Sequence, residues 1–165
     1  MPDPKTLERA EEDRREGKSP STQAGEFVRE EFEHIREGKH GASSPKQAIA
    51  IGLSKARRAG VKLAAPKEGT TSRKTRKSAQ RALAAGKKAK RDKKKVSRRR
   101  SRAVSAALKR EPRSSASRGA ISRQSKSAAR RRSASSRSAA ARKAARTKGA
   151  AARKAARTRG KKRRS

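Results

Sequence analysis

Lysine and arginine at fixed spacing are the residues of this chain best suited to chemistry, and that chemistry is phosphate binding. The sequence AAARKAARTKG (139–149) is followed at once by AAARKAARTRG (150–160), so the basic residues recur with a period of eleven. Eleven residues at about 100° each come within about 20° of three helical turns, so repeated bases share one helix face. We predict a nucleic-acid-binding stripe made of Arg142, Lys143, Arg146, Arg153, Lys154 and Arg157.

Two runs of three arginines extend this predicted interface. Each run is followed by a serine in the sequence RRRS, and the six residues are Arg98, Arg99, Arg100, Arg130, Arg131 and Arg132. The serines resemble kinase targets, and a phosphate there would weaken polyanion binding by cancelling positive charge. Whether they are modified stays open.

The net charge of +38 on 165 residues is concentrated in one part of the chain. Residues 1–66 contain 13 Lys and Arg against 11 Asp and Glu, whereas residues 67–165 contain 39 bases against three acids. The two parts therefore have net charges of +2 and +36, and the second part needs a polyanion as its counter-charge. Because it contains no aromatic residue on which bases could stack, we expect non-specific, strongly salt-dependent binding.

The composition excludes several classes of function. Apolar residues make up 29% of the chain, and its aromatic residues are two Phe. Such a chain cannot bury the dry pocket that catalysis needs, so we predict no enzyme and no cofactor. The absence of Cys excludes thiolate metal sites. The longest apolar run, at 48–53, is too short to cross a bilayer, so we predict no membrane partner.

The two histidines are the remaining residues that could bind a ligand. His34 and His40 have several glutamates nearby in sequence, so a metal site is conceivable. They fall on a predicted helix and in a loop, without the spacing of known metal motifs. This pattern favours solvated polar residues, and we predict no metal site.

The nearly neutral part predicts a helical hairpin over residues 19–65. Ser19 and Ser44 are suited to begin the two helices, and Gly38 and Gly60 are suited to end them. Apolar residues recur at helical spacing on one face of each helix, and the short loop favours antiparallel packing. The predicted hairpin core is Phe27, Val28, Phe32, Ile35, Ile49, Leu53 and Val61.

The rest of the chain is divided by composition. We predict that residues 1–18 form an exposed charged helix or arm, that residues 66–72 form a linker, and that residues 73–165 form a basic low-complexity tail. Such a tail cannot offset its ordering entropy by burial. We therefore predict a mostly α-helical protein whose long tail is largely disordered, or helical only on a polyanion.

The stretches STQAGEFVREEFEHIREGKHG (21–41) and KQAIAIGLSKARRAGVKL (46–63) resemble a family of small uncharacterised bacterial proteins. It is a domain of unknown function whose members carry an Ala, Lys and Arg-rich tail, and it implies no site residues. The tail, with its AARKAARTKG units, is similar in composition to bacterial histone H1-like proteins.

Together these features predict a non-enzymatic protein of the bacterial nucleoid, in the cytoplasm. The tail is expected to bind and compact double-stranded DNA, and the hairpin to dock to a protein partner or a second copy. Two alternatives stay open. In one, the tail binds RNA, for example at the ribosome; in the other, the hairpin is an adaptor that the tail only localises.

Overall fold

The computed structural model describes residues 2–88, 97–146 and 149, and all regular structure in these residues is helical. The helices are α1 (Pro4–Arg15), α2 (Pro20–Arg36), α3 (Pro45–Arg58), α4 (Arg73–Lys88), α5 (Arg98–Arg110), the 3₁₀ helix η1 (Arg113–Ala116) and α6 (Arg118–Arg130). Residues 134–146 are also helical. The chain divides into two compact units, Met1–Ser122 and Arg123–Ser165, with the boundary inside α6. None of the described helices combines the length and apolar character that a membrane span needs.

The ends of the hairpin helices follow from local sequence. Helices α2 and α3 both begin with proline, whose fixed φ suits the first turn. The Ser44 hydroxyl accepts a hydrogen bond from the Gln47 amide at 3.3 Å. Gly38 (φ 79°) and Gly60 (φ 98°) follow the last turns in the left-handed conformation that favours glycine. The predicted ends of both helices are confirmed.

The hairpin residues lie in two hydrophobic clusters. The first contains Ala10, Ala24, Phe27, Ala56 and Val61, with Leu53 and Leu63 packed against it. The second contains Phe32, Ile35, Ala42, Ala48 and Ala116, with Val28, Ile49 and Ile121 packed against it. The seven residues predicted for the core are all in these clusters. They are joined there by residues from α1, η1 and α6, so the hairpin is covered by other segments of its own chain.

Helix α1 is one of these covering segments. It packs against α2 and buries Thr6, Ala10 and Asp13. Arg9 Nε lies 3.1 Å from Glu26 Oε2 across the contact. Most other residues of the helix are exposed, and its packing on α2 is a contact that the composition did not predict. The contact uses small side chains, while Leu7, the largest apolar residue of the helix, stays 42% exposed.

The described part of the tail is largely helical, which corrects the prediction of a largely disordered segment. Ala, Lys and Arg all have high intrinsic helix propensity. Helix α4 also packs against α3 and buries Ala79 and Ala82, which are 7% and 3% exposed. Packing of this kind supplies most of the stability of helices in proteins, and composition alone does not reveal it. The second repeat, 150–160, lies outside the described residues.

Residues 108–116 close the loop end of the hairpin. The Gly41 amide donates to the Leu108 carbonyl at 2.8 Å, and the Ala42 amide donates to the Pro112 carbonyl at 3.2 Å. A Cβ atom at Gly41 would lie 1.8 Å from the Glu111 carbonyl oxygen, so only glycine permits this approach. Ala116, at the end of η1, is 2% exposed in the second cluster.

Gly52 sets the distance between α2 and α3, and we expect Gly52→Ala to destabilise the protein. A Cβ atom there would lie 2.7 Å from Val28 Cα and 3.0 Å from the Phe27 carbonyl oxygen. Alanine gains about 1 kcal/mol in helix propensity, but overpacking typically costs about 1–3 kcal/mol. Backbone atoms cannot rotate away, so the free energy of unfolding should fall, by up to about 2 kcal/mol, in urea denaturation.

The matched control is Gly25→Ala in α2. A Cβ atom at Gly25 meets nothing within 4 Å, so only the propensity gain applies. This variant should be more stable by about 0.5–1 kcal/mol. If both alanines stabilised the protein equally, the close approach of the two helices at Gly52 would be contradicted.

Candidate nucleic-acid interface

Helix α5 begins with the first predicted arginine run. Arg98, Arg99 and Arg100 form its first turn, and all three are exposed. At 100° per residue, Arg98 falls within about 40° of Arg102 and Lys109, so one face of the helix carries basic residues near both of its ends. The helix N-terminus itself carries partial positive charge. This end of α5 therefore concentrates positive potential at the surface.

The second arginine run lies at the end of α6. Arg130 is the last residue of that helix, and Arg131 and Arg132 follow it; all three are exposed. A surface depression here is lined by Arg123, Lys126, Ser127, Arg130 and Arg131. Four cations around one depression suit a phosphate group, because guanidinium and ammonium groups donate charge-assisted hydrogen bonds to its oxygens.

Sequence reasoning missed two of these four cations. Arg123 and Lys126 stand alone in the sequence, so they do not form a visible run. The signal that would have found them is the spacing of 123, 126 and 130, which places three bases on one helix face.

The first eleven-residue repeat contributes a third basic surface. Arg142, Lys143 and Arg146 are exposed on the helical segment 134–146, and helix geometry places them within about 100° of one another. The Arg142 guanidinium donates to the Ser138 hydroxyl at 3.4 Å. The other three residues of the predicted stripe, Arg153, Lys154 and Arg157, lie outside the described residues.

Helix α4 adds a basic face that the sequence analysis did not single out. Its alanines pack against α3, and its exposed bases are Arg73, Lys74, Lys77, Arg81 and Lys87. The helix therefore attaches to the hairpin through small side chains and presents cations to solvent.

The first part of the chain, in contrast, pairs many of its own charges. Glu30 and Glu31 are 2% and 1% exposed, and Lys55 Nζ lies 3.1 Å and 2.7 Å from their carboxylate oxygens. Burial lowers the pKa of Lys55, but hydrogen bonds and attraction from both carboxylates outweigh this effect and leave its pKa raised. Ion pairs of this kind are distributed along α1, α2 and α3. Residues 67–165, in contrast, contain 39 Lys and Arg but only three Asp and Glu. Most of their positive charge is therefore available to an external anion.

Comparison with known proteins concerns the hairpin formed by α2 and α3. Residues 24–68 match a family of unknown function, DUF6496. The matched stretch begins within α2 at Ala24, contains all of α3, and ends at Glu68, between α3 and α4. The resemblance of this part to a domain of unknown function is confirmed.

The match does not extend into the basic tail. Neither the curated proteins nor the solved structures contain a match to this chain. The similarity of the tail to histone H1-like proteins therefore stays a prediction.

Proposed function

We propose that the protein binds double-stranded DNA without sequence specificity and compacts it, and that the DUF6496 domain carries the basic helices. The observation that supports this most directly is the outward-facing cations on α4, α5, α6 and 134–146, in a part of the chain with three acids. Cations in such excess bind DNA by releasing its condensed counterions.

The helical form of the tail favours a duplex partner. The tail has one lysine or arginine per about 2.5 residues. This spacing gives a positive charge roughly every 4 Å along a helix, against roughly 8 Å along an extended chain. Duplex DNA carries one phosphate charge per about 1.7 Å of its axis, so the helical tail approaches the charge density of its partner. Because the tail is already helical before it binds, it loses less conformational entropy on binding.

Compaction follows from the presence of several basic surfaces in one chain. Each of the two compact units carries exposed cations of its own. A chain that neutralises phosphates at more than one place lowers the repulsion between neighbouring segments of DNA. The histone H1-like composition of the tail is in keeping with this role.

The absence of aromatic residues after residue 66 argues against single-stranded RNA as the main target. Recognition of unpaired bases relies on stacking against aromatic or guanidinium planes, and here only the arginines provide such planes. RNA is therefore the competitor that the experiment must include.

The test is a fluorescence-anisotropy titration of the full chain against unrelated duplexes of equal length at increasing salt. We expect affinities that agree within about threefold between sequences and a linear fall of log K with log salt. Affinity that ignores salt, or that differs by orders of magnitude between duplexes, would contradict the proposal. If a structured RNA displaced the duplex at equal concentration, RNA rather than duplex DNA would be the partner.

In cells, crosslinking followed by sequencing of the bound nucleic acid distinguishes the same alternatives. Chromosomal DNA, spread without a preferred motif, is the expected partner. Enrichment of ribosomal RNA over chromosomal DNA would overturn the proposal.

A further inference from the structure

The two histidines, predicted to be solvated, are instead mostly buried beside the hairpin's acidic residues. Their side chains are 13% and 15% exposed, and their rings meet edge to face with centroids 6.1 Å apart. Glu31, His34 and His40 each offer a ligand atom, and these three atoms lie within 4.8 Å of one another. Asp3, Glu30 and His34 form a second such set, so His34 belongs to both.

The hydrogen-bond partners of His40 indicate which of its two nitrogens carries the proton and which one is an acceptor. Its Nδ1 lies 3.0 Å from the Gly41 carbonyl oxygen, which can only accept, so Nδ1 carries the proton. In the neutral ring, Nε2 is then an acceptor, and it lies 3.0 Å from Glu31 Oε1. Two acceptors at this distance need a cation between them, either a proton or a metal ion. A histidine oriented by a backbone carbonyl in this way is typical of metal sites.

The charge of the cluster points in the same direction. Asp3, Glu30 and Glu31 contribute three negative charges, and Lys55 returns one positive charge. Lys39 is also attracted by Asp3 and Glu30, so with neutral imidazoles the sum is one negative charge, which a metal cation offsets. Lys55 holds Glu31 through Oε2, so Oε1 remains directed at His40.

We propose that this cluster is a zinc site, with His34, His40 and Glu31 as ligands and Glu30 or Asp3 as the fourth. Two imidazoles with carboxylates are a donor set that Zn²⁺ prefers over the oxygen-only sets of Mg²⁺ and Ca²⁺. Tetrahedral zinc with bonds of about 2.0–2.2 Å places its ligand atoms about 3.3 Å apart. His40 Nε2 and Glu31 Oε1, at 3.0 Å, and His34 Nε2 and Asp3 Oδ2, at 3.3 Å, are already near that separation.

The location of the site gives it a structural role. Its ligands come from α2 and from the loop that precedes α3, and with Asp3 as the fourth ligand one ion would also hold the residue before α1. Asp3 and the histidine edges reach solvent, which leaves a path for the ion. Structural metals of this kind contribute directly to folding free energy in small domains.

The direct test titrates Co²⁺ into the metal-free full chain at neutral pH and follows the visible absorption bands of four-coordinate cobalt. We expect saturation at one ion per chain and displacement by one equivalent of Zn²⁺. X-ray absorption of the zinc-loaded protein should show imidazole and oxygen ligands. No saturable binding up to about 100 µM, or a first shell of oxygen alone, would overturn the proposal.

Single substitutions locate the site. His34→Ala, His40→Ala and Glu31→Gln should each weaken zinc binding by at least about tenfold, with folding checked by circular dichroism. Glu33→Gln is the matched control, because this neighbouring carboxylate pairs with Arg29 and is outside both ligand sets. Unchanged binding in a folded His34→Ala/His40→Ala double variant would show that zinc binds elsewhere and would refute the assignment.

Discussion

Replacing Arg123, Lys126, Arg130 and Arg131 with glutamine should sharply reduce both DNA affinity and its dependence on salt. These four cations surround one depression, so a bound phosphate backbone meets all of them. Each phosphate contact contributes about 0.9 to the slope of log K against log salt, so the slope should fall by up to about 3.6. Near 0.1 M salt this corresponds to a loss of affinity of up to about 4,000-fold. Anisotropy titrations of the full chain over a range of salt measure both quantities.

A second fourfold variant separates local contact from total charge. Arg14, Lys18, Arg29 and Lys39 are exposed, and each pairs with a carboxylate of α1, α2 or the residues that follow these helices. Replacing them with glutamine removes the same formal charge but no phosphate contact, so the slope should change by less than about 1. Equal losses in both variants would mean that the depression has no special part in binding.

Phe27→Ala should produce the largest loss of stability among single substitutions in the core. Phe27 is fully buried in the first cluster, between α2, α3 and α1. Truncation of a buried phenylalanine costs about 3–5 kcal/mol, from lost transfer energy and the cavity left behind. Domains are typically stable by about 5–15 kcal/mol, so much of the stability is lost. Urea denaturation followed by circular dichroism should show a clearly lower midpoint.

Val104→Ala in the same compact unit is the control for this experiment. Val104 is 54% exposed on α5, so its truncation opens no cavity. The free energy of unfolding should change by no more than about 0.5 kcal/mol. A cost below about 1 kcal/mol for Phe27→Ala would show that the protein does not depend on this cluster.

The hairpin could be predicted because its signals are local. Phe32 and Ile35 recur at helical spacing, and proline and glycine mark the ends of both helices. Each of these signals acts within a few residues, so no knowledge of the rest of the chain is required.

The packing around the hairpin could not be predicted for the opposite reason. Gly41, Ala42 and Ala116 form close contacts because they lack large side chains, and small residues carry no directional pattern. In the tail, alanine is so frequent that the buried Ala79 and Ala82 look like all the others. Composition therefore suggested disorder in α4, where tertiary contact with α3 supports the helix.

The candidate sites also contain some residues that local sequence reveals and others that only the folded structure brings together. Arginine runs are visible in sequence, whereas Arg123 and Lys126 join Arg130 only once α6 is formed. His34 and His40 are separated by a helix end, and the turn after α2 brings their rings together. Sequence spacing alone could not show that both then face Glu31.

The hydrogen bond from Gly41 to Leu108 joins residues 67 positions apart, and this separation has a consequence for synthesis on the ribosome. Translation proceeds at about 5–20 residues per second, so the finished hairpin waits several seconds for the segment that closes its loop end. The intervening chain is basic and emerges next to ribosomal RNA. The first compact unit can therefore be completed only after residue 108 has been synthesised. Until then the hairpin must resist proteolysis and aggregation without the contacts that close its loop end.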